Sequence, residues 1–211
     1  MTQDFVHLRM HTEFSIKDGM LNPKKVVHKA IASGMKALAI TDATAMFGDV
    51  IFYKAASAAG IKPILGADCS ITNHYNRDDY LRLLFLARNH QGYLTLCDLL
   101  SRAWLTNQYK DRGEVDLDWI TPEMADGLIV LSGFNTGAIG KAILNGSSSA
   151  AEQEARRLSQ KFPHFFMELQ RVGRPNDEML VAESVKLAKK LGLPVVATQP
   201  IQFENPEDFE F

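Results

Sequence analysis

The residues best able to do chemistry are concentrated near the start of the chain. Arg9, His11, Glu13, Ser15 and Asp18 follow one another closely, and the turn residue Gly19 closes the series. They come directly after a short apolar run, Phe5-Val6-His7-Leu8, which has the length of a buried strand. A buried strand that empties into a loop of imidazole and carboxylate is how α/β barrels build sites at the carboxyl ends of their strands. An N-terminal edge strand with a solvated loop would give the same local pattern. Recurrence further along favours the first reading, because Ala37–Thr41 empties into Asp42 and Lys62–Ala67 into Asp68. If these strands run parallel, one rim would carry Arg9, His11, Asp18, Asp42, Asp68, Ser132, Gln170 and Gln199. One histidine with three carboxylates suggests a divalent-metal site in principle. A closed cluster would want more imidazoles, and His7, His28, His74, His90 and His164 read as surface or satisfied-core residues.

The elements that must position these groups alternate. Asn22 caps a helix with Pro23 at its first position, and Gly34 ends it. Asp49 to Ala59, Gly92 to Thr106, Ala150 to Phe162 and Asn176 to Leu191 read as further helices, with shorter ones from Thr121 and Thr136. Along Gly92 to Thr106 the expected inner positions are Leu94, Leu96, Cys97, Leu100 and Trp104. Strands are expected at Phe5–Leu8, Ala37–Thr41, Lys62–Asp68, Leu81–Ala87, Leu128–Leu131, His164–Leu169 and Pro194–Thr198. Residues 107–118 show no periodicity. This rhythm predicts an α/β fold with a mostly parallel sheet, and it favours a closed or nearly closed barrel over an open doubly wound sheet.

Composition excludes several classes. A chain of 211 residues with 46% hydrophobic residues, 23% charged residues and a net charge of −2 has ordinary globular balance. It has no overall electrostatic pull toward nucleic acid or membrane. Its basic residues are scattered, so no DNA-binding groove is legible, and no run reaches the ~18 apolar residues of a membrane span. Cys69 and Cys97 form no CxxC pair, which fits a reducing cytoplasm. There is no GxGxxG, no GxxxxGKS/T and no GxSxG, so neither those nucleotide sites nor a serine nucleophile is expected. Asn205-Pro206-Glu207-Asp208 looks like the first turn of a helix whose first apolar residues are Phe209 and Phe211, so the chain is expected to be a fragment of a longer polypeptide.

Six stretches taken in order, FVHLRMHTEFSIKDG, GMKALAITD with MFG, GIKPILGAD, LARNHQGYLTL, GLIVLSG and LPVVAT, closely resemble successive motifs of the PHP domain. Within that family they are most similar to the PHP domains opening the alpha subunits of bacterial DNA polymerase III. The resemblance spans essentially all of residues 1–211, read as one incomplete PHP domain. It implies a distorted seven-stranded β/α barrel, TIM-barrel-like and truncated at its C-terminal end, with polymerase domains beyond. Metal-binding members hydrolyse phosphoesters on a histidine and carboxylate cluster. Here the pattern is broken: Arg9 stands for the first histidine of HxH, Ala43 for another, and Arg82 for the histidine opening the fourth strand. Phe134, the region of Val172, and Gln199-Pro200-Ile201-Gln202 depart as well, while His11, Asp18, Asp42 and Asp68 remain.

The resemblance therefore implies a scaffold and interaction segment of a replicative polymerase, with a vestigial metal site and no catalytic residue of its own. The implied partners are the remainder of the polymerase chain and, in some bacteria, the separate proofreading exonuclease subunit. A metal-dependent phosphoesterase or 3′–5′ exonuclease, holding zinc or manganese weakly at the vestigial site, is the competing reading. A free-standing phosphatase of the histidinol-phosphate type is a third. Arg9 and Arg82 are expected to replace the cation, with Arg9 pairing with Asp42 or Asp68.

Overall fold

The computed structural model describes residues 5–205, so Phe209 and Phe211 lie outside the described residues. The order of elements follows local chemistry closely. α1 (Pro23–Ala32) opens on Asn22, whose side chain accepts from the N–H groups of Lys24 and Lys25. β1 (Ala37–Ala43), α2 (Asp49–Ala58), β2 (Lys62–Ile71) and β3 (Leu81–Ala87) follow. α3 (His90–Thr106) is capped by Asn89, which accepts from Gly92 N at 2.9 Å. Its buried face is Leu96, Leu99, Leu100 and Ala103, at i, i+3, i+4 and i+7. Leu94, expected inside, lies off that stripe and is exposed, and Cys97 and Trp104 are half-buried. The aperiodic stretch holds a minimal hairpin, β4 (Gln108–Tyr109) and β5 (Arg112–Gly113). Then come α4 (Pro122–Asp126), β6 (Leu128–Leu131), α5 (Ala138–Leu144), α6 (Ser148–Lys161), β7 (Phe165–Leu169), α7 (Asp177–Leu191) and β8 (Val195–Ala197).

The main sheet has six strands in the order β1-β2-β3-β6-β7-β8 and curls into a half-barrel. Two expectations need correction here. First, β3 runs antiparallel to both its neighbours, β2 and β6, whereas β1/β2, β6/β7 and β7/β8 are parallel. Second, Phe5–Leu8 is not a strand, so the main sheet among the described residues has six strands rather than seven. The segment instead runs extended beside β1, where His7 O accepts from Ala39 N and Met10 O from Thr41 N, both at 3.0 Å. The Thr41 hydroxyl, rather than a backbone carbonyl, receives Met10 N at 2.8 Å, which interrupts the ladder. On the other side the segment bridges only Ile201, through Met10.

Side chains alternate across each strand, and this period of two sorts the core. Ala39, Ile64, Leu84, Leu86, Ile129, Leu131, Phe166, Val196 and Leu8 form a cluster with no helical member, so they fill the concave side. The opposite parity packs against helices: Leu38 and Ile40 meet α1 and α2, and Ala67, Cys69, Phe85 and Val130 meet α3 and α6. No helix among the described residues is long and apolar enough to cross a membrane.

Candidate functional site

The polar end of the concave side is an ion-pair network. Asp68 sits four residues beyond Ile64 on β2, and Glu168 two beyond Phe166 on β7, so both carboxylates share the parity of the apolar interior. Neither is accessible to solvent. Arg9 reaches them from the extended segment. Its Nε and Nη2 donate to Glu168 Oε1 and Oε2 at 2.9 and 3.0 Å, a two-pronged fork, and its Nη1 donates to Asp68 Oδ2. Glu168 also accepts from Gly133 N at 3.0 Å, Gln170 Nε2 at 3.0 Å and the Thr198 hydroxyl at 2.6 Å. The Ser132 hydroxyl in turn receives Glu168 N at 2.9 Å.

Arg82 joins because β3 is reversed. Its position two residues before Leu84 puts it on the concave face, and the antiparallel direction brings the start of β3 to the rim where the parallel strands end. Arg82 Nη2 lies 3.0 Å from Asp68 Oδ2, and Nη1 lies 4.0 Å from Asp18 Oδ2. His11 bridges the two acids, with Nε2 3.2 Å from Asp68 Oδ2 and Nδ1 3.0 Å from Asp18 Oδ1.

Asp42 does not belong to this network, contrary to the expectation that it would share the rim and could pair with Arg9. On β1 it has the parity of Leu38 and Ile40, which face the helices. Its carboxylate accepts from Thr12 N at 2.6 Å, from the Thr12 hydroxyl at 2.8 Å and from Ser15 Oγ at 2.8 Å. It therefore pins the loop that carries His11. Gly19 completes that loop where a side chain would not fit, since a Cβ would stand 2.1 Å from Thr12 O.

Glu168 was absent from the sequence-derived candidates. Its signal was a lone carboxylate inside Phe165-Phe166-Met167-Glu168-Leu169, two residues from a core phenylalanine. Ser132 and Gln170 both bond within the network, while Gln199 is exposed. Of the other histidines, His28 and His90 lie on exposed helical positions, and His74 and His164 are outer-surface partners of Asp116 and Asp126.

Burial opposes charge on Arg9, His11, Asp18, Asp68 and Glu168, and in each the partners outweigh it. The Asp68 carboxyl is held well below the usual range by Arg9 and Arg82, and Glu168 is lowered by Arg9. The Arg9 guanidinium is raised by the same two acids. His11 is raised by its hydrogen bonds to Asp18 and Asp68, and Asp18 is lowered by His11. With His11 protonated, Arg9, Arg82 and His11 balance Asp18, Asp68 and Glu168.

A resident metal does not fit this donor set. Two guanidinium groups and His11 Nε2 crowd Asp68 Oδ2, leaving only its Oδ1 without a partner, and both nitrogens of His11 already face carboxylates. Among the described residues, His74, Asp116 and Asp118 are the one group of three such side chains with ligand atoms within 4.8 Å, at exposed to half-buried positions. The cluster supplies positional and electrostatic order at the strand ends.

Fold and rim together define an α/β half-barrel domain with a polar, charge-balanced site at its strand ends. Its shape is similar to an amidohydrolase structure from Chromobacterium violaceum, with a TM-score of 0.65, 14% identity, and coverage of 93% of this chain and 87% of that one. A sequence model described as the PHP domain matches residues 7–172, and the chain belongs to that family. Curated relatives named DNA polymerase III subunit alpha include one from Pseudomonas aeruginosa, 42% identical over all of this chain, and one from Neisseria meningitidis serogroup B, 46% identical over 97% of it. The chain spans 18% of the length of each.

Proposed function

We propose that this chain is the N-terminal PHP segment of a DNA polymerase III alpha subunit, the DNA-directed polymerase chain of bacterial replication. It serves there as a cytoplasmic scaffold and protein-interaction domain, not as a hydrolase. This reading rests on Arg9, whose guanidinium holds Glu168 and Asp68 together from the position that the resemblance gives to the first histidine of the metal-binding HxH pattern. A fixed organic cation needs no metal supply and keeps the strand ends in register. Residues 7–11, lying between β1 and Ile201, act as a seventh stave that draws the two edges of the half-barrel together. The remainder of the polymerase chain packs on this domain, and the proofreading exonuclease subunit is a further partner. Curated relatives of this name, with this chain covering less than a fifth of their length, support the parentage.

Thermal unfolding with and without zinc or manganese tests the metal-free site, together with turnover of p-nitrophenyl phosphate and of a single-stranded oligonucleotide. The expected result is an unchanged Tm and no turnover above a His11→Ala variant. A clear rise in Tm overturns the reading, since a ligand that binds only the folded state must stabilise it. Turnover above the variant does the same.

A further inference from the structure

Among the described residues outside the ion-pair network, the least satisfied titratable group is Asp49, in the first turn of α2. It is 1% exposed, and neither carboxyl oxygen has a hydrogen-bond partner. Buried carboxyl oxygens without partners are rare and call for a specific explanation. Asp49 lines a groove of about 540 Å³ between α2 and α3, whose walls include Val50, Tyr53, Leu65, His90 and Tyr93. Val50 and Tyr53 are each more than half exposed, and the His90 and Tyr93 rings stack at 6.4 Å. An acid at the base of aromatic and aliphatic walls has the chemistry of a receptor for a long side chain with a cationic, planar head.

We propose that the groove between α2 and α3 is a docking site for an arginine side chain presented by a partner polypeptide, with its guanidinium on Asp49 and its stem along Tyr53 and Tyr93. Arginine suits the two buried, unpartnered oxygens, because its fork gives parallel donors to both, and its stacking on aromatic faces suits the tyrosines. A polypeptide suits the rim, because exposed Val50 and Tyr53 give apolar contact to the residues on either side of the arginine. The charged and titratable groups around the carboxyl are Asp42 from β1, Lys54 on α2, and His90 and Tyr93 on α3. Lys54 lines the same groove and makes no bond to Asp49, so the carboxyl is left for an incoming donor. Burial and Asp42 hold the Asp49 carboxyl at about 8, so docking of a guanidinium at neutral pH expels a proton.

The test is an amide-resonance titration of the full chain with a capped Leu-Arg-Leu tripeptide and its citrulline counterpart, an uncharged isostere. Saturable shifts confined to Asp49, Val50, Tyr53 and Tyr93 are expected, with at least tenfold weaker binding of the citrulline peptide. Asp49→Asn should abolish that preference while keeping the side chain's shape. Tyr53→Ala, at an exposed position that leaves the core intact, should weaken arginine binding several-fold. Absence of saturable shifts at these residues, equal binding of the citrulline peptide, or a preference that survives in Asp49→Asn would each overturn the proposal.

Discussion

Replacing Arg9 by methionine keeps much of the buried aliphatic stem and removes the charge. Glu168 and Asp68, both fully buried, then lose three charge-assisted hydrogen bonds. Removing one partner of a buried ion pair costs about 3–5 kcal/mol, because an uncompensated charge is left behind. Here the remaining partners soften the loss. Asp68 keeps Arg82 and His11, and Glu168 keeps Gly133, Gln170 and Thr198. The expected cost at pH 7 is therefore near the lower end, about 3 kcal/mol, against a typical domain stability of 5–15 kcal/mol. The cost must also depend on pH. Both carboxyls have folded-state pKa values below their unfolded values, so their stabilisation is present above the ordinary carboxylate range and lost as pH falls through the folded values. In the variant the acids take up protons readily, and the gap to the parent chain should narrow toward pH 4. Urea unfolding of both chains at pH 4, 5.5 and 7 measures this through the midpoints. A loss under ~1 kcal/mol at pH 7, the size of an exposed ion pair, would refute the claim that Arg9 stands in for a structural cation. So would a loss that is equal at all three pH values.

Two further predictions concern protonation. His11 has a raised folded-state value, so its contribution is complete below the unfolded value of 6.5 and fades as pH rises through the folded one. The Tm difference between the parent chain and His11→Gln should therefore be largest at pH 6 and shrink as pH increases, as followed by circular dichroism. Asp49 behaves in the opposite sense to a paired acid. Its carboxyl at about 8, against 3.8 for the model acid, makes folding increasingly unfavourable as pH climbs between those values. Asp49→Asn should change little near pH 4 and stabilise by up to ~5 kcal/mol near pH 8, at ~1.4 kcal/mol per tenfold change in proton affinity. Denaturant midpoints at both pH values decide this, and a gain of equal size at pH 4 would contradict it.

Most of the fold was legible in the sequence because its causes are local. Asn22-Pro23 caps a helix wherever it stands, and Leu81–Ala87 and Leu128–Leu131 are apolar runs of strand length whose bounds the structure reproduces. Arg9, His11, Asp18 and Asp68 could also be named in advance from the ends of the expected strands, whereas Arg82 entered only through the resemblance to the PHP family. What the sequence could not decide was direction and partnership. Nothing within Leu81–Ala87 says that β3 runs against its neighbours, yet that reversal is what carries Arg82 to the rim. Asp42 and Asp68 end similar apolar runs, but strand parity turns one toward the helices and the other into the interior. Glu168 lies 159 residues from Arg9, and only the closing of the sheet brings its carboxylate under the guanidinium. Caps and periodicity act over a few residues, whereas a buried charge finds its counter-charge through sheet order and register, which are properties of the whole chain.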